Sequence, residues 1–279
     1  MSLKHMSKLL KIGIVGCGAI GSSLAKIIAR ELKRRAGISA LYDIDAQKSV
    51  RLSQAVCGNK ELAVPGLEQL IARSDLVIEA ASAKSSWKIA QGALRRKRSI
   101  MVMSVGGLLS RLKELSFLAA RYGGKVYIPS GAIAGIDALK AAGAGKIRKV
   151  VLTTRKNPLS FKGVEYIKRR GLRLDNIRQE KRLFFGSARQ AVKYFPQNIN
   201  VAAVLSMAGI GEDRTRVEII ASPKVKQNVH EIRIEGAAGK VFTRTENILH
   251  PDNPKTSYLA VLAAAATLRQ ILEPVRIGT

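Results

Sequence analysis

Short apolar segments alternate with amphipathic segments through the first half of the chain. Residues 10–15 are mostly apolar, as in a strand buried within a parallel sheet, and residues 19–35 repeat apolar side chains at helical spacing. The same alternation predicts strands over residues 38–42, 75–79, 99–104 and 125–128, and helices over residues 46–56, 67–73, 83–97 and 108–122. Repeated strand–helix units predict a parallel sheet with right-handed crossovers, which is the Rossmann arrangement.

The pattern changes after residue 129. A basic stretch without clear periodicity runs to about residue 182. The second half predicts helices over residues 135–144, 187–194, 199–208 and 256–272, and strands over residues 147–154, 214–221, 229–234 and 240–244. The last three strands follow one another without helices, which is typical of an antiparallel or mixed sheet with helices on one face.

These patterns predict an α/β chain of two domains. An N-terminal Rossmann domain occupies residues 1–129, and an α+β domain occupies residues 130–252. The C-terminal helix, within residues 253–279, is expected to pack back on the first domain.

Three glycines in the pattern G-x-G-x-x-G lie where the first predicted strand ends and the first predicted helix begins. Gly16 permits a tight turn, Gly18 lets the backbone approach a ligand, and Gly21 lets the helix pack against the strand. The helix N-terminus offers N–H groups and a partial positive charge to phosphate oxygens. We therefore predict that the loop holds the pyrophosphate of a dinucleotide through the backbone at Gly16, Gly18, Ala19, Ile20 and Gly21.

An acidic residue follows the second predicted strand. Asp43 lies 22 residues after Gly21, where a carboxylate accepts hydrogen bonds from the adenosine ribose hydroxyls. A carboxylate there repels a 2′-phosphate, so Asp43 favours NAD over NADP, while the nearby Lys48 and Arg51 leave NADP use open. Asp45 is a second candidate, and either residue could instead be a solvated carboxylate at a strand end.

Two further strand ends are candidates to line a cofactor. Ala81 and Ser82 follow the strand at residues 75–79, and Ser104 ends the strand at residues 99–104. Ligands of parallel sheets bind beyond the carboxyl ends of the strands. Ordinary turn chemistry explains the same residues equally well.

Composition narrows the class of protein. The 279 residues are 47% hydrophobic, and no apolar run reaches the length of a membrane span, so no membrane association is predicted. The first eight residues lack the apolar core of a signal peptide. Cys17 and Cys57 form neither a disulfide framework nor a metal-binding spacing. A reducing cytoplasmic location and no metal are therefore expected.

The formal net charge of +28 is the unusual feature. Basic clusters lie at residues 33–35, 95–98 and 168–170, where they would attract nucleic acid without sequence preference. Aromatic residues are only 5% of the chain, and no nucleic-acid-binding motif accompanies the clusters. A solvated basic surface is predicted, without a specific nucleic-acid partner.

Two histidines outside the N-terminal tail are candidates for chemistry. His230 shares one predicted strand face with Ile232 and Ile234, so it is expected to point inward, as a core residue or as a catalyst. His250 opens a polar loop that is expected to meet solvent and to lead into the last helix. Thr256 or Ser257 would cap that helix or, with Lys255, hold a carboxylate.

Eight segments in order along the chain carry a resemblance to a known family. They are Gly13-Ile-Val-Gly-Cys-Gly-Ala-Ile-Gly21, Glu79-Ala-Ala-Ser82, and residues 128–138, 151–157, 186–189, 195–203, 228–232 and 253–260. The first is common among nucleotide-binding proteins, and the later ones are specific. The chain resembles the L-aspartate dehydrogenases, especially their archaeal members. It departs from them mainly in its charge and in the basic stretch at residues 162–182.

The resemblance implies a reaction and several site residues. L-aspartate is oxidised with NAD or NADP to iminoaspartate, which hydrolyses to oxaloacetate and ammonia or feeds the synthesis of NAD. The family's active-site histidine corresponds to His230, and its further cofactor contacts correspond to Ala132 and Asn198, with Asn200 as the alternative to Asn198. A homodimer is expected, with the second domain serving substrate binding and dimerisation.

General chemistry supports this assignment. Histidine is suited to take a proton from the substrate ammonium or from water near neutral pH. The two substrate carboxylates need cationic or amide partners, for which the candidates are Arg155, Asn200, Lys255 and Thr256. The alternatives are another oxidoreductase, such as a homoserine dehydrogenase or a dihydrodipicolinate reductase, and a non-catalytic protein that binds NAD or nucleic acid.

Overall fold

The computed structural model describes residues 9–195, 200–251 and 253–278. Within these ranges the chain divides into two compact units. The first unit comprises residues up to 129 together with residues 264–276, and the second comprises residues 130–263 with the segment that starts at residue 277. None of the helices in the described ranges is long and apolar enough to cross a membrane.

The first unit is built on a parallel five-stranded sheet. Its elements are β1 (Leu10–Val15), α1 (Ala19–Glu31), β2 (Ala36–Tyr42), α2 (Ala46–Cys57), α3 (Leu67–Arg73), β3 (Leu76–Glu79), α4 (Ala83–Arg95), β4 (Ser99–Val102), α5 (Leu112–Tyr122) and β5 (Val126–Tyr127). The strand order is β2-β1-β3-β4-β5, and each neighbouring pair is parallel. The predicted Rossmann arrangement is confirmed.

Burial in this unit follows the sequence pattern. Every residue of β3 is buried, as are the last four residues of β1, because helices cover both faces of a parallel sheet. Helix α1 buries Leu24, Ala25 and Ile28 on one face. Since all five strands run the same way, their carboxyl ends lie at one edge of the sheet, beyond which ligands of such folds bind.

The second unit is α+β, as predicted. Its elements are α6 (Ile136–Gly143), β6 (Ile147–Lys156), α7 (Glu165–Arg169), β7 (Lys181–Ser187), α8 (Ala188–Tyr194), α9 (Asn200–Ala208), β8 (Arg216–Ala221), β9 (Asn228–Gly236), β10 (Gly239–Asn247), β11 (Leu249–His250), β12 (Asn253–Ser257) and α10 (Tyr258–Leu272). Five of these strands form a mixed sheet of order β10-β9-β6-β8-β7, in which only the β6–β8 pair is parallel.

One face of this mixed sheet is packed and the other is charged. Apolar residues at alternate positions, such as Val150 and Leu152 on β6 and Ile232 and Ile234 on β9, join the core formed with the helices. The intervening residues carry ion pairs, for example between Lys149 and Glu235. We call these the inner face and the outer face of the sheet.

Helix α7 and strands β7, β11 and β12 escaped the sequence-based prediction. Strand β7 lies at the end of the basic stretch, and a bulge between Arg182 and Phe184 interrupts its alternation of exposed and buried residues. Strands β11 and β12 form a separate two-stranded sheet in the segment expected to be a loop. Helix α10 consequently begins at Tyr258 and not at residue 256.

Candidate active site

The glycine loop between β1 and α1 has the shape that a dinucleotide requires. Gly16 adopts a positive φ of +94°, and a Cβ atom on it would lie 2.5 Å from the carbonyl oxygen of Ala80. A Cβ on Gly21 would lie 1.9 Å from the carbonyl oxygen of Gly16. By contrast, apart from Gly18 itself and its two neighbours in the chain, no described atom lies within 4 Å of the position of a Cβ on Gly18. The loop is tightly packed beneath and open above Gly18, so it fits a bound pyrophosphate.

Asp43 closes the loop from the neighbouring strand. Its carboxylate accepts a hydrogen bond from the backbone N–H of Cys17 at 2.7 Å and one from the N–H of Asp45 at 2.9 Å. Each carboxylate oxygen can accept a second hydrogen bond, so capacity remains for ribose hydroxyls. Asp45 is instead the cap of α2, where its side chain accepts from the N–H of Gln47. Of the two predicted candidates, Asp43 is therefore the better placed to contact the cofactor.

Cys17 is a packing residue within this loop. It is buried, and burial followed by the charge of Asp43 raises the pKa of its thiol to about 12. The thiol therefore stays protonated near neutral pH and has little nucleophilic character.

The other two predicted strand ends are joined by a residue that the sequence analysis did not single out. Glu79, the last residue of β3, is fully buried. Its two carboxylate oxygens accept hydrogen bonds from the N–H groups of Ala81 and Ser104, both at 2.9 Å. Burial raises the pKa of Glu79, and hydrogen bonds from Ser104, Ala81 and Ser82 partly offset that rise. The carboxylate thus fixes the turn after β3 against the turn after β4.

His230 lies on the inner face of the second unit's sheet, as predicted. It is 3% exposed, and its Nδ1 lies 3.1 Å from the hydroxyl oxygen of Thr154, its cross-strand partner on β6. Burial, together with the nearby positive charge of Lys156, lowers the pKa of His230 to about 3. The imidazole is therefore neutral at physiological pH, which is the form that can accept a proton.

Further polar residues surround His230 at this end of the sheet. Lys156 ends β6, Asn228 begins β9 and Asn247 ends β10, and all three are buried. Together with Thr154 and His230 they form what we call the polar cluster. Polar side chains are costly to bury in such number, and their concentration at one end of a sheet is typical of a functional site.

Ala132 is brought to the same end of the sheet. Its carbonyl oxygen accepts hydrogen bonds from the Thr245 hydroxyl at 3.1 Å and from the Asn247 amide at 3.0 Å. Thr245 is the cross-strand partner of His230 on β10. Strand β10 therefore contacts both Ala132 and His230, which are far apart in sequence.

Arg155, predicted to bind a substrate carboxylate, lies on the outer face instead. Its guanidinium donates to Glu231 at 2.6 Å and pairs with Glu180 at 3.4 Å. Successive residues of a strand point to opposite faces, so Arg155 points away from His230 and Lys156 points toward it. The buried cation beside His230 on this strand is Lys156.

The expectation that His250 meets solvent is wrong. It is 2% exposed, lies on β11, and its ring stands 5.7 Å from the ring of Tyr258 in an edge-on arrangement. The polar character of its surrounding sequence concealed this burial, because a short two-stranded sheet leaves no periodic signal. His250 belongs to the packing beneath the start of α10.

The remaining predicted residues are placed as follows. Asn200 is exposed at the first position of α9, and Thr256 is half-buried on β12. Asn198 lies outside the described residues, as does the side chain of Lys255. In the part of the chain that is described, no group of three or more His, Cys, Asp or Glu residues is arranged to hold a metal ion.

Comparisons with known proteins agree with this geometry. The sequence profile for "Aspartate dehydrogenase, C-terminal" matches residues 137–271, and that for "Homoserine dehydrogenase, NAD binding domain" matches residues 16–129. The L-aspartate dehydrogenase of Methanococcoides burtonii is 44% identical over 97% of this chain and 100% of its own length. That of Methanosarcina barkeri is 45% identical with the same coverage.

Solved structures show the same fold at lower sequence identity. Aspartate dehydrogenase from Thermotoga maritima covers 97% of this chain and 100% of its own, with a TM-score of 0.73 and 24% identity. A homoserine dehydrogenase from Thiobacillus denitrificans covers 95% of this chain and 73% of its own, with a TM-score of 0.61 and 14% identity. The homoserine dehydrogenase likeness concerns the fold alone, whereas full-length relatives at 44% and 45% identity decide the family. The resemblance drawn from the sequence is confirmed, and this chain belongs to the L-aspartate dehydrogenase family of oxidoreductases.

Proposed function

We propose that this chain oxidises L-aspartate with NAD to iminoaspartate, which water converts to oxaloacetate and ammonia. The observation that carries the proposal is the neutral, buried His230, fixed by Thr154 at the end of a sheet that also holds Lys156. This arrangement supplies a proton acceptor and a cation, which are the two groups that oxidative deamination of an acidic amino acid requires. The full-length relatives support the choice of substrate.

The first unit supplies the cofactor site of this proposal. The glycine loop receives the pyrophosphate, Asp43 receives the adenosine ribose, and Glu79 holds the turns at Ala81 and Ser104 in place. Bound NAD would supply the acceptor for the hydride that leaves the substrate Cα. The carboxylate of Asp43 disfavours a 2′-phosphate, so we propose a preference for NAD with some use of NADP.

In the second unit, His230 acts as the proton acceptor. When its Nδ1–H donates to the hydroxyl of Thr154, the lone pair of Nε2 is available to take a proton. The proton comes from the substrate ammonium as the C=N bond forms, or later from the water that attacks the imine. Thr154 fixes the ring orientation, and burial excludes bulk water from competing for the lone pair.

We propose that further residues complete the substrate and cofactor sites. We assign the substrate carboxylates to Lys255, Thr256 and Asn200, which are the other predicted ligands. Ala132 and Asn198 remain our predicted contacts for the cofactor. Arg155 is not included, because its guanidinium pairs with Glu231 and Glu180 on the outer face.

We further propose a homodimer in the cytoplasm that supplies iminoaspartate for NAD synthesis. The outer face of the second unit's sheet supports the dimer, since Phe185 and Phe242 are 57% and 56% exposed there among ion-paired side chains. Aromatic side chains are enriched in protein interfaces. The basic surface is proposed to attract nucleic acid without sequence preference.

A substrate panel tests the proposed activity. The full chain is mixed with NAD or NADP and with L-aspartate, L-glutamate, L-alanine or L-homoserine, and the absorbance of the reduced nicotinamide is followed. We expect turnover of L-aspartate and a much lower kcat/KM for the other three. A preference for L-homoserine, or no turnover of any amino acid with either NAD or NADP, would refute the proposal.

A further inference from the structure

Two buried residues in the described part of the chain have side chains that are ordinarily charged at neutral pH, Glu79 and Lys156. Lys156 is 6% exposed. Burying an ammonium group is unfavourable, and burial lowers the pKa of Lys156 to about 8. Below that pH the group still carries its proton, so at neutrality the inner face holds a positive charge.

The backbone of Lys156 is held firmly in place. Its carbonyl oxygen accepts a hydrogen bond from the N–H of Ser222 at 2.9 Å. Lys156 also pairs with Ala221 in the parallel β6–β8 ladder. It lies two positions beyond Thr154, on the same face, and next to the strand that carries His230. The position of this cation beside the proton acceptor is therefore fixed by the sheet register.

The same strand also carries a cationic residue on its outer face. Arg155, the adjacent residue, lies on the outer face and pairs with Glu231 at 2.6 Å and Glu180 at 3.4 Å. A cation on that face contributes to the ion pairs of the sheet without the cost of burial. The buried lysine therefore has a role other than general surface charge.

Two buried polar atoms at this end of the sheet have no hydrogen-bond partner among the described residues. Among the described residues, no hydrogen-bond partner lies within reach of Asn247 Oδ1 or of the Ser222 hydroxyl, and both atoms are buried. The amide nitrogen of Asn247 is already used, because it donates to the Ala132 carbonyl at 3.0 Å. An acceptor and a hydroxyl near a buried cation suit a ligand that has both ammonium and carboxylate groups.

We propose that Lys156 binds a carboxylate of the substrate directly. This inference rests on the proposed function, whose substrate is an amino acid with two carboxylates. The ion pair would form where solvent is excluded, so it is stronger than the same pair at the surface. It also has a consequence for catalysis. A carboxylate against Lys156 offsets the positive charge that His230 experiences, so substrate binding makes His230 a better proton acceptor.

Calorimetric titration with succinate tests the proposal without turnover. Succinate has both carboxylates of aspartate but no amine, and it is titrated into the full chain saturated with NAD. Lys156→Met removes the charge and keeps the length of the side chain. We expect the Kd for succinate to rise about ten- to a hundredfold, the loss of one charge-assisted interaction, with NAD affinity unchanged. Lys149→Met, on the outer face of the same strand, should bind succinate like the wild type.

Thermal unfolding separates binding from a structural role. Exchanging a buried charge for an apolar side chain of similar length should leave the melting temperature unchanged or raise it. Weaker succinate binding together with an unchanged or higher melting temperature supports the proposal. Wild-type succinate affinity in a folded Lys156→Met refutes it.

A second neutral variant keeps the test possible when Lys156→Met does not fold. If Lys156→Met fails to fold, Lys156→Gln is titrated in the same way, and failure of both to fold beside a folded Lys149→Met shows a structural role and refutes the proposal. The proposed function has its own criterion. If the wild type binds succinate through Lys156 yet does not oxidise L-aspartate, the dicarboxylate site is supported and only the assigned reaction is wrong.

Discussion

The two buried charged residues, Glu79 and Lys156, occupy equivalent places in different units of the molecule. Each is the last residue of a strand that has a parallel neighbour, at a carboxyl end of its sheet. Glu79 is surrounded by backbone N–H groups, which donate to both of its oxygens. Lys156 is surrounded by side chains, including His230, whose pKa it lowers.

Because their surroundings differ, the two buried charged residues are suited to different roles, one structural and one chemical. A carboxylate satisfied by backbone groups ties two turns together and stabilises the loops that receive a cofactor. A cation placed among titratable and amide side chains changes how those side chains exchange protons. In our proposal the buried charge of the first unit has a structural role, and that of the second unit acts on substrate binding and proton transfer.

The largest expected effect is the loss of His230. His230→Ala removes the proton acceptor, which typically costs about a hundredfold to ten-thousandfold in rate, so kcat should fall by that order. NAD affinity should change little, because the cofactor loops belong to the first unit. Steady-state kinetics with L-aspartate and fluorescence titration with NADH measure the two quantities.

His250→Ala is the matched control for that prediction. His250 is equally buried but packs on Tyr258, so its loss should lower the melting temperature and reduce kcat far less. If His250→Ala abolishes turnover while His230→Ala retains it with a weakened fold, then His230 is a core histidine and the site assignment is wrong.

The next largest expected effect is the pH dependence of stability, to which His230 and Glu79 should contribute with opposite sign. The folded pKa of His230, about 3, is lower than its ordinary value of 6.5, so the folded state binds fewer protons between these pH values. The stabilising contribution is fully present above pH 6.5 and is lost as the pH falls toward 3. Between pH 6.5 and 4 the loss should reach up to about 3 kcal/mol, at 1.36 kcal/mol per pH unit.

Urea unfolding of the wild type and His230→Gln across this range checks the acid prediction. The variant should lose less stability on acidification, because glutamine does not titrate. The raised pKa of Glu79 acts in the opposite direction, since its folded carboxyl takes up a proton more readily than the unfolded one. Parallel curves for wild type and variant would show that His230 is not held neutral by burial.

The sequence predicted the first unit more completely than the second, for a physical reason. Parallel strands buried on both faces leave continuous apolar runs, so β1, β3 and β4 and their turns could be read from the order of residues. The G-x-G-x-x-G pattern places Gly16, Gly18 and Gly21 without further information, because each has a local backbone role.

The polar cluster could not be assembled in the same way. Its residues come from β6, β9 and β10, and only the register of the mixed sheet shows which of them share a face. A register shift of one residue decides whether Arg155 or Lys156 meets His230. The strand at residues 147–154 was predicted to end before either residue, so alternation could not be extended to them. Glu79 was similarly hidden, because its function lies in hydrogen bonds to turns that follow two different strands.

Loss of Glu79 tests the architectural half of the comparison. In Glu79→Gln one oxygen still accepts a backbone hydrogen bond, but the new NH2 group faces the other N–H donor. Leaving that donor unsatisfied should reduce the free energy of unfolding by about 1–3 kcal/mol and weaken NAD binding. Glu235→Gln, which removes only a surface pair with Lys149, should cost less than about 1 kcal/mol. Urea unfolding measures both variants, and a Glu79→Gln indistinguishable from Glu235→Gln would contradict a tie between the turns.

Asp43 extends the comparison between Glu79 and Lys156, because its one carboxylate both holds a loop in place and can bind a ligand. It ties the glycine loop through the N–H of Cys17 at 2.7 Å and retains acceptor capacity for a ribose. Asp43→Ser shortens the side chain and removes the charge, so NAD affinity should fall about tenfold while NADP, no longer repelled, loses less. Asp43→Asn keeps an acceptor for Cys17 and removes only the charge, so it should recover part of the NAD affinity while still narrowing the gap to NADP. Fluorescence titration of the wild type and both variants with NADH and NADPH gives the six dissociation constants. If both variants keep the wild-type ratio of the two affinities, Asp43 is purely architectural, like Glu79, and another group reads the ribose.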